Sequence, residues 1–501
     1  MTRLVGNPRV PQLTIMITPA RCALASVALA VAAAQSAAQI TSLEYAARRD
    51  ALAARVDSGV VVAFGGRTPV SDFGPFFQVP GFHYLTGYDY ADATLVLVVR
   101  GGHDRATLFV TRSTPRRSLY YGIEPDSQTL ASTLGMPSRS NDALIGVLDS
   151  LAGSGLPFYT LRDVEDADFA GLDSLTRGAQ TMRTLAQRHA GLVAQDAAPL
   201  VDRLRATKSP AEQALLRRAA EISVAGHKAA MQLIAPGLHE YDLQAVLEYT
   251  FRRQGAERPA YGSIVGSGAN GTQLHYMKDR ELLKAGDLVV IDAAAEFGGY
   301  AADVTRTLPV SGTFTADQRA LYQIVRDAQA AAERNSGPGK SVQAAQDSSV
   351  DVRANGLARL GLIEAPDAQF DPPWPVNCVE QPRSCRQVML FAIHGISHGL
   401  GLAVHDPMLG YYDAHVFRPG DAFTIEPGIY VNTRLLDILP DTPRNRAFAA
   451  KVRAAVLRYQ NTGARIEDDY LVTPTGLDWI TPAPRDIADV EAAIAHRAPV
   501  P

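Results

Sequence analysis

The sequence has no surplus of charge of one sign. Its 48 lysine and arginine residues nearly balance 52 aspartate and glutamate residues, and the formal net charge is -4. Without a basic surplus, the chain has no long-range field that would attract nucleic acid or an anionic membrane. We therefore expect no nucleic-acid partner.

The sequence also has no apolar run long enough to cross a bilayer. The apolar run from Cys22 to Ala34 has 13 residues, whereas a spanning helix needs about 20. Three arginines precede this run and small residues follow it, which is the pattern of a secretory signal cleaved near Ala38. We predict that residues 1–38 are a signal peptide and that the mature protein is exported, periplasmic or secreted, without stable membrane insertion. The alternative is a single transmembrane anchor.

Cysteine is scarce, with three residues in the whole chain. Cys22 would leave with the signal peptide, and Cys378 and Cys385 lie close together in a proline-containing loop. In an oxidising compartment this pair can form a local disulfide, which would stabilise the fold only modestly because the closed loop is short. The alternative is two free thiols.

The length of 501 residues suits two or three domains. After the signal, one stretch with helical spacing and three apolar runs of strand length predict an α/β domain over residues 42–190. A longer helical pattern then begins near Pro199, where Ser209, Pro210 and Glu212 form a helix-start signal. We predict a second domain over residues 200–485.

In the second domain the strand-like segments form pairs joined by turns such as EFGGY. They do not show the short strand–helix–strand alternation of a parallel sheet. Two helical windows follow, at residues 316–334 and 342–362. The pattern predicts an α+β domain in which helices cover an antiparallel sheet.

One motif resembles a dinucleotide-binding loop. The segment from Gly266 to Gly271 reads GSGANG and follows a strand-like run. No long helical pattern begins behind these glycines, as that function requires. We interpret the segment as a glycine-containing loop that carries His275 toward a site.

Four carboxylates stand where strands would normally hold apolar residues: Asp292, Asp303, Glu426 and Glu467. A buried carboxylate must be paired, hydrogen-bonded or bound to a cation. Asp292 and Asp303 could each be paired with a buried cationic side chain, and the EDD segment at Glu467 could be a solvated acidic edge. Taken together, the four exceed what nearby arginines would neutralise, and this favours a metal site.

Histidines cluster in one glycine-rich segment, where they are candidates for metal binding or substrate contact. Alone, each is more often a structural residue. The four are His394, His398, His405 and His415. Four carboxylates with one imidazole suit Mn²⁺, Co²⁺ or Zn²⁺, and carboxylates can bridge two ions that activate a water between them.

The segments IDAAAEFGGYAADVTRT, HGISHGLGLAVHD, TIEPGIY and RIEDD resemble the signatures of the pita-bread metallopeptidases, which include aminopeptidase P, prolidase and methionine aminopeptidase. The resemblance implies a pita-bread catalytic domain with two divalent ions, with Mn²⁺ expected and Co²⁺ or Zn²⁺ as alternatives. The implied ligands are Asp292, Asp303, His398, Glu426 and Glu467. The segment FHYLTGYDYADATLVLVV is similar to the N-terminal domain of aminopeptidase P, the subgroup that this chain resembles most.

The same resemblance implies further roles. His275 and His405 match histidines that contact the substrate and stabilise the developing oxyanion. His394 and Arg465 match groups beside the leaving proline portion, and Glu426 matches the residue that takes a proton from the bridging water. These roles satisfy the general needs of hydrolysis: an activated water, an electrophile and a proton carrier.

We therefore expect a binuclear hydrolase that releases the N-terminal residue from Xaa-Pro peptides, and we expect it to be a homo-oligomer. The close alternative is a prolidase that cleaves Xaa-Pro dipeptides. More remote alternatives are a metal-free creatinase-like hydrolase and a non-catalytic binding protein. Two departures from the family pattern bear on specificity: Ala403, where many relatives carry aspartate, and a long connection at residues 432–464, interpreted as a lid, an oligomer contact or a surface helix pair.

Overall fold

In a computed structural model, residues 39–69, 75–161, 176–412 and 415–496 are described. The predicted signal peptide lies outside these residues, so its cleavage and the export of the protein stay predictions. None of the helices in the described ranges is long and apolar enough to cross a membrane. The described residues from Ile40 onward belong to one compact unit, so the predicted boundary near residue 200 also stays a prediction.

Fifteen helices and seventeen strands are described, and they are numbered here in chain order. The helices are α1 (Ser42–Val56), α2 (Pro80–Thr86), α3 (Pro115–Tyr121), α4 (Ser127–Leu134), α5 (Leu144–Ala152), α6 (Arg177–Arg188), α7 (Ala198–Arg205), α8 (Pro210–Leu233), α9 (Glu240–Arg253), α10 (Ala316–Asn335), α11 (Val342–Leu360), α12 (Leu409–Tyr412), α13 (Arg434–Asp437), α14 (Pro443–Tyr459) and α15 (Ile487–Ala495). The strands are β1 (Gly59–Phe64), β2 (Thr94–Arg100), β3 (His103–Val110), β4 (Ser138–Ser140), β5 (Phe158–Leu161), β6 (Ala194–Asp196), β7 (Arg258–Pro259), β8 (Ile264–Ser267), β9 (Leu288–Asp292), β10 (Ala295–Phe297), β11 (Tyr300–Ala301), β12 (Thr305–Pro309), β13 (Ala422–Ile425), β14 (Gly428–Val431), β15 (Thr462–Arg465), β16 (Asp468–Thr473) and β17 (Gly476–Trp479).

The N-terminal part forms a six-stranded sheet in the order β4-β3-β2-β1-β5-β6. The central strand β1 is buried along its whole length. It pairs antiparallel with β2 and parallel with β5. A continuous run of valines suits such a strand, because both of its faces are covered. This sheet and its helices confirm the predicted α/β character of the N-terminal part.

The C-terminal part consists of short antiparallel strand pairs covered by helices. Strand β9 pairs antiparallel with both β8 and β12. In the main apolar core of this C-terminal part, side chains of α8 to α11, α14 and α15 pack against β8, β9, β12, β14 and β15. The α+β class, with helices over an antiparallel sheet, is confirmed.

Several helix boundaries follow from local sequence signals. Helix α8 begins as predicted, with Ser209 as N-cap, Pro210 in the first turn and a complete capping box with Glu212. Helices α10 and α11 lie within one or two residues of the two predicted windows. At the end of the GSGANG segment a short 3₁₀ turn forms, at Asn270–Thr272, and no α-helix follows it before β9, as the sequence pattern predicted.

Two predicted strand positions were wrong in detail. Glu426 does not lie in mid-strand but between β13 and β14, because Pro427 lacks the N–H that a continuous ladder needs. Glu467 lies between β15 and β16, in a single bridge to Thr305. The EDD segment is not a solvated edge, since Glu467, Asp468 and Asp469 are all buried.

The long connection at residues 432–464 folds as α13 and α14, and α14 packs Phe448, Val452 and Val456 into the core. The neighbouring loop supplies Phe370, whose ring lies 6.4 Å from that of Phe448. That loop ends in a disulfide between Cys378 and Cys385, with their Cα atoms 5.7 Å apart. The predicted local disulfide is confirmed, and the connection forms a packed helix pair.

Candidate metal centre

A cavity of about 340 Å³ opens where the C-terminal strand pairs meet. All nine predicted site residues line it, together with Leu274, Gly395 and Ser397. The nine are His275, Asp292, Asp303, His394, His398, His405, Glu426, Arg465 and Glu467. His415 is not among the lining residues, so the fourth clustered histidine belongs elsewhere.

The two aspartates reach the cavity from a strand–turn–strand unit. Asp292 ends β9, where it lies opposite Thr305 of β12. Between them the chain turns back at EFGGY, where Glu296 of β10 pairs with Ala301 of β11. This turn returns Asp303 to the level of Asp292, as the sequence suggested.

His398 lies among three of the carboxylates. Its Nε2 is 3.4 Å from Asp303 Oδ2, 3.5 Å from Glu426 Oε1 and 3.8 Å from Glu467 Oε1. One ligand atom from each of Asp303, His398 and Glu467 can be chosen so that all three lie within 4.8 Å of one another. This spacing lets them share a small ion.

The electrostatics of these carboxylates favour a cation. Burial, reinforced by the charge of Asp292, raises the pKa of Asp303. Burial raises the pKa of Glu467 well above its ordinary value and that of Glu426 to about 7. For His398, burial lowers the pKa, but Asp303 and Glu426 outweigh it and raise the pKa to about 9. The cluster therefore binds positive charge strongly, as protons or as metal ions.

Unsatisfied oxygens support the same conclusion. Glu467 Oε1 is buried without a hydrogen-bond donor, while its Oε2 accepts from Thr305 Oγ1 at 2.6 Å. Tyr261 Oη lies 2.5 Å from Oδ1 of both Asp292 and Asp303. Its single proton can serve only one of them at a time. The donor set therefore fits divalent cations, with oxygen ligands and one imidazole.

Arg465 forms the positively charged wall of the cavity. Its Nη2 donates to Asp292 Oδ2 at 2.5 Å and its Nη1 to Tyr430 Oη at 2.7 Å. Tyr430 Oη in turn lies 2.8 Å from His394 Nε2. Burial and the charges of Arg465 and Arg353 lower the pKa of His394 to about 3. His394 is therefore neutral, with Nδ1 donating to the Gly395 carbonyl at 2.6 Å.

The remaining two histidines approach from different loops. The ring of His405 lies 4.2 Å from the ring of His398, centroid to centroid. His405 belongs to a tight hairpin in which Asp406 N donates to the Gly399 carbonyl at 2.9 Å. His275 follows the 3₁₀ turn after β8 and lines the cavity beside Leu274.

Sequence reasoning missed three residues that organise the site: Tyr261, Thr305 and Tyr430. Tyr430 ends the TIEPGIY motif that carries Glu426, so a signal existed. Thr305 lies opposite Asp292, but only the register reveals that. For Tyr261 the sequence gives no signal, because its partners lie 31 and 42 residues away.

A buried group of carboxylates and histidine, set between helix-covered antiparallel strands and able to hold divalent ions, defines a metal-dependent hydrolase. Comparison with known proteins agrees with this class. The model of metallopeptidase family M24 matches residues 214–474, and the model of the aminopeptidase P N-terminal domain matches residues 45–154. The chain belongs to metallopeptidase family M24.

Individual relatives cover nearly the whole chain. It is 32% identical to the Xaa-Pro aminopeptidase of Escherichia coli over 458 residues, which are 88% of this chain and 95% of that protein. The Xaa-Pro aminopeptidase of Haemophilus influenzae is 31% identical, over 83% of this chain and 88% of that protein. Among solved structures, proline aminopeptidase P II from Yersinia pestis has a TM-score of 0.74 at 31% identity and covers 91% of this chain and 100% of its own. The zinc-substituted aminopeptidase P of Escherichia coli in complex with product has a TM-score of 0.74 at 30% identity, with 92% of this chain and 100% of that chain covered.

Proposed function

We propose that this protein is an aminopeptidase that releases the N-terminal residue from peptides whose second residue is proline. The observation that carries the proposal is the gathering of a full ligand set and four further polar side chains around one cavity. Support for the substrate class comes from relatives named Xaa-Pro aminopeptidase, which match this chain over most of their length.

We further propose that the cavity binds two divalent cations, with Mn²⁺ preferred over Co²⁺ or Zn²⁺. Asp292, Asp303, His398, Glu426 and Glu467 would hold them. The unpartnered oxygen of Glu467 and the raised pKa values of the carboxylates support this assignment. When bound, such cations supply an acidified water as the nucleophile.

The side chains around the proposed cations would supply the remaining catalytic roles. We assign to Glu426 the acceptance of a proton from the attacking water. Its oxygens lie inside the cavity, one 3.4 Å from His394 Nδ1 and the other 3.5 Å from His398 Nε2. His275 and His405 would donate hydrogen bonds to the carbonyl oxygen as negative charge develops on it. This division leaves His394 as the one cavity histidine among the described residues still without a role.

The opposite wall would hold the proline side of the substrate. Arg465 is fixed between Asp292 and Tyr430 by two short hydrogen bonds. Its orientation is therefore set before substrate binds, which reduces the entropy lost on binding. Because His394 is neutral and hydrogen-bonded on both nitrogens, we assign it a role in shaping this wall.

The test is a peptide screen on protein reconstituted with Mn²⁺. We expect cleavage of Xaa-Pro-Yaa tripeptides, little cleavage of matched Xaa-Ala-Yaa peptides, and loss of both activity and bound metal in Asp303→Asn. Asp441→Asn, a change at an exposed position, serves as the matched control. Equal cleavage of the alanine peptides would contradict the proposed specificity for proline.

Two outcomes would point to the alternatives. Clear preference for a free Xaa-Pro dipeptide over the tripeptide would indicate a prolidase. Full activity after exhaustive chelation would indicate a metal-free, creatinase-like reaction. An Asp303→Asn variant that kept its activity would return Asp292 and Asp303 to a structural role.

We also propose that the mature protein is exported and acts as a homo-oligomer. The disulfide between Cys378 and Cys385 is typical of oxidising compartments, which supports export. The highly exposed side chains of Leu119 and Ile123 offer an apolar surface that a second copy could cover. N-terminal sequencing of protein from the periplasm and light scattering of the purified protein test the two statements. An uncleaved N-terminus or a monomer at micromolar concentration would contradict them.

A further inference from the structure

A single carboxylate outside the cavity organises the loop that carries His275. Glu240, the first residue of α9, is fully buried. Its two oxygens accept five hydrogen bonds, and every donor lies between residues 267 and 281. The five donors are Ser267 N at 2.7 Å, Ser267 Oγ at 2.7 Å, Asn270 Nδ2 at 3.1 Å, Tyr276 Oη at 2.9 Å and Glu281 N at 2.9 Å.

This arrangement is a saturated one. An ionised carboxylate has about four lone-pair sites, and a buried carboxylate is tolerated only when donors fill them. Glu240 also lies in the first turn of a helix, where the free N–H groups favour negative charge. Its own N–H donates to the Glu281 carbonyl at 2.9 Å. The carboxylate is therefore fixed to the helix and to the loop.

The loop between β8 and β9 has little regular secondary structure of its own. Between β8 and β9 its only helical piece in the described residues is the 3₁₀ turn Asn270–Thr272. Two of the five donors, Asn270 and Tyr276, lie on either side of His275. Because Tyr276 is the next residue along the chain, its side-chain bond to Glu240 anchors the residue directly after His275. Glu240 itself does not line the cavity.

We propose that Glu240 is a positioning residue for His275, which it holds in the cavity by tying down both sides of the loop. This inference rests on the proposed function for its kinetic consequences. Its structural consequence, the order of residues 268–281, is independent of what the protein cleaves.

The first test is the variant Glu240→Gln. A glutamine has nearly the same shape, but its amide nitrogen cannot accept hydrogen bonds, so the bonds to one of the two oxygens are lost. Glu248→Gln is the matched control: Glu248 lies on the same helix and accepts from Ser263 Oγ at 2.8 Å, with no bond to residues 267–281. We expect faster amide hydrogen exchange in residues 268–281 for Glu240→Gln alone, with bound metal unchanged.

The second test is a double-mutant cycle with His275→Ala. If Glu240 acts through His275, Glu240→Gln should lower kcat/KM about 10- to 100-fold in the wild-type background and less than about threefold in the His275→Ala background. Losses that simply multiply would overturn the proposal, and so would unchanged exchange in residues 268–281. Should Glu240→Gln fail to fold, Tyr276→Phe, which removes one donor, takes its place in both tests. A wild-type protein inactive on every peptide would contradict the proposed function, and the exchange experiment would still decide the role of Glu240.

Discussion

The guanidinium of Arg306 is buried next to the candidate metal centre, where it bonds the backbone carbonyls of Thr305 and Glu467. Its removal tests how the fold neutralises its buried carboxylates. It donates to Asp468 Oδ1 at 2.6 Å, and neither side chain is exposed to solvent. The remaining hydrogen bonds of the guanidinium go to backbone carbonyls. These are the carbonyls of Thr305, Glu467, Thr481, Ala483 and Pro484.

Arg306→Met removes the charge and keeps an unbranched side chain, so little cavity is left. Removing one partner of a buried ion pair costs about 3–5 kcal/mol. Asp468 keeps Arg485 Nη1 at 2.8 Å and Gln329 Nε2 at 2.9 Å, which favours the lower end of that range. The carbonyls of Thr305 and Thr481 keep a backbone N–H donor, whereas each of the other three adds about 1 kcal/mol when its donor is removed. We expect a loss of about 6 kcal/mol, a large part of the ~5–15 kcal/mol typical of a folded protein.

The assay is urea unfolding at pH 7, followed by circular dichroism on chelator-treated protein so that bound cations do not contribute. Arg446→Met is the control, because Arg446 pairs with Asp441 on the surface, and we expect no measurable loss for it. A loss well below ~3 kcal/mol for Arg306→Met would refute the reasoning, because breaking a buried ion pair costs at least that much.

The pH dependence gives a second check on the same pair. Burial raises the pKa of Asp468, but the charges of Arg306 and Arg485 outweigh it and hold the pKa below its ordinary value. A carboxylate with a lowered pKa in the folded state contributes stability above its unfolded pKa, about 4, and loses it as the pH falls further. The difference between wild type and Arg306→Met should therefore shrink below about pH 4. A constant difference would contradict this.

Three further predictions concern stability. Asp279→Asn should stabilise the fold at pH 7 by about 1 kcal/mol after allowance for solvent screening, measured as a higher melting temperature. The reason is that burial raises the pKa of Asp279 to about 6 and opposes folding of its ionised form. The gain should vanish below pH 4, and a gain that persisted there would contradict this cause. Replacing Cys378 and Cys385 together by serine should lower the free energy of unfolding by about 2 kcal/mol, measured in urea, and no loss would mean that hydrogen bonds alone hold the loop. Gly356→Ala should cost about 1–3 kcal/mol because a methyl group there would overlap the side chain of Ile324; the cost should be smaller in an Ile324→Ala background, and equal costs would refute the steric explanation.

The sequence predicted those parts of the molecule whose determinants are local. The start of α8 was evident because a capping box spans only four residues, from Ser209 to Glu212. The strand β1 was evident because its valines are consecutive. The cavity residues were evident because they occur in short motifs with family resemblance, although their roles in this chain stay predictions.

Features that depend on distant partners could not be predicted. Arg306 is 162 residues from Asp468, and nothing near either residue identifies the other. Glu240 reads as an ordinary acidic residue in a first helical turn, and only the fold brings its five donors to it. The break between β13 and β14 was available from Pro427, but the run TIEPGIYV otherwise has the composition of one strand.

The strand register explains why Glu426 and Glu467 act together. Strands β13 and β16 pair with Ile425 opposite Asp468, and β14 and β15 pair with Gly428 opposite Arg465. Both pairings follow one register, so Glu426 and Glu467 lie opposite each other across the interruption. Like charges directly opposite each other are destabilising.

Because side chains alternate between the two faces of a strand, Asp468, the residue after Glu467, points away from the cavity. Asp468 pairs with Arg306 and Arg485 and is neutralised by protein alone. Its neighbours Glu467 and Asp469 lie with the cavity group, where Asp469 accepts from the Asp303 N–H at 3.0 Å. Among the described residues, Arg465 is the only arginine that lines the cavity. The same EDD segment thus supplies a fully paired structural carboxylate and, one residue away, a cavity-lining carboxylate that the proposed cations would neutralise.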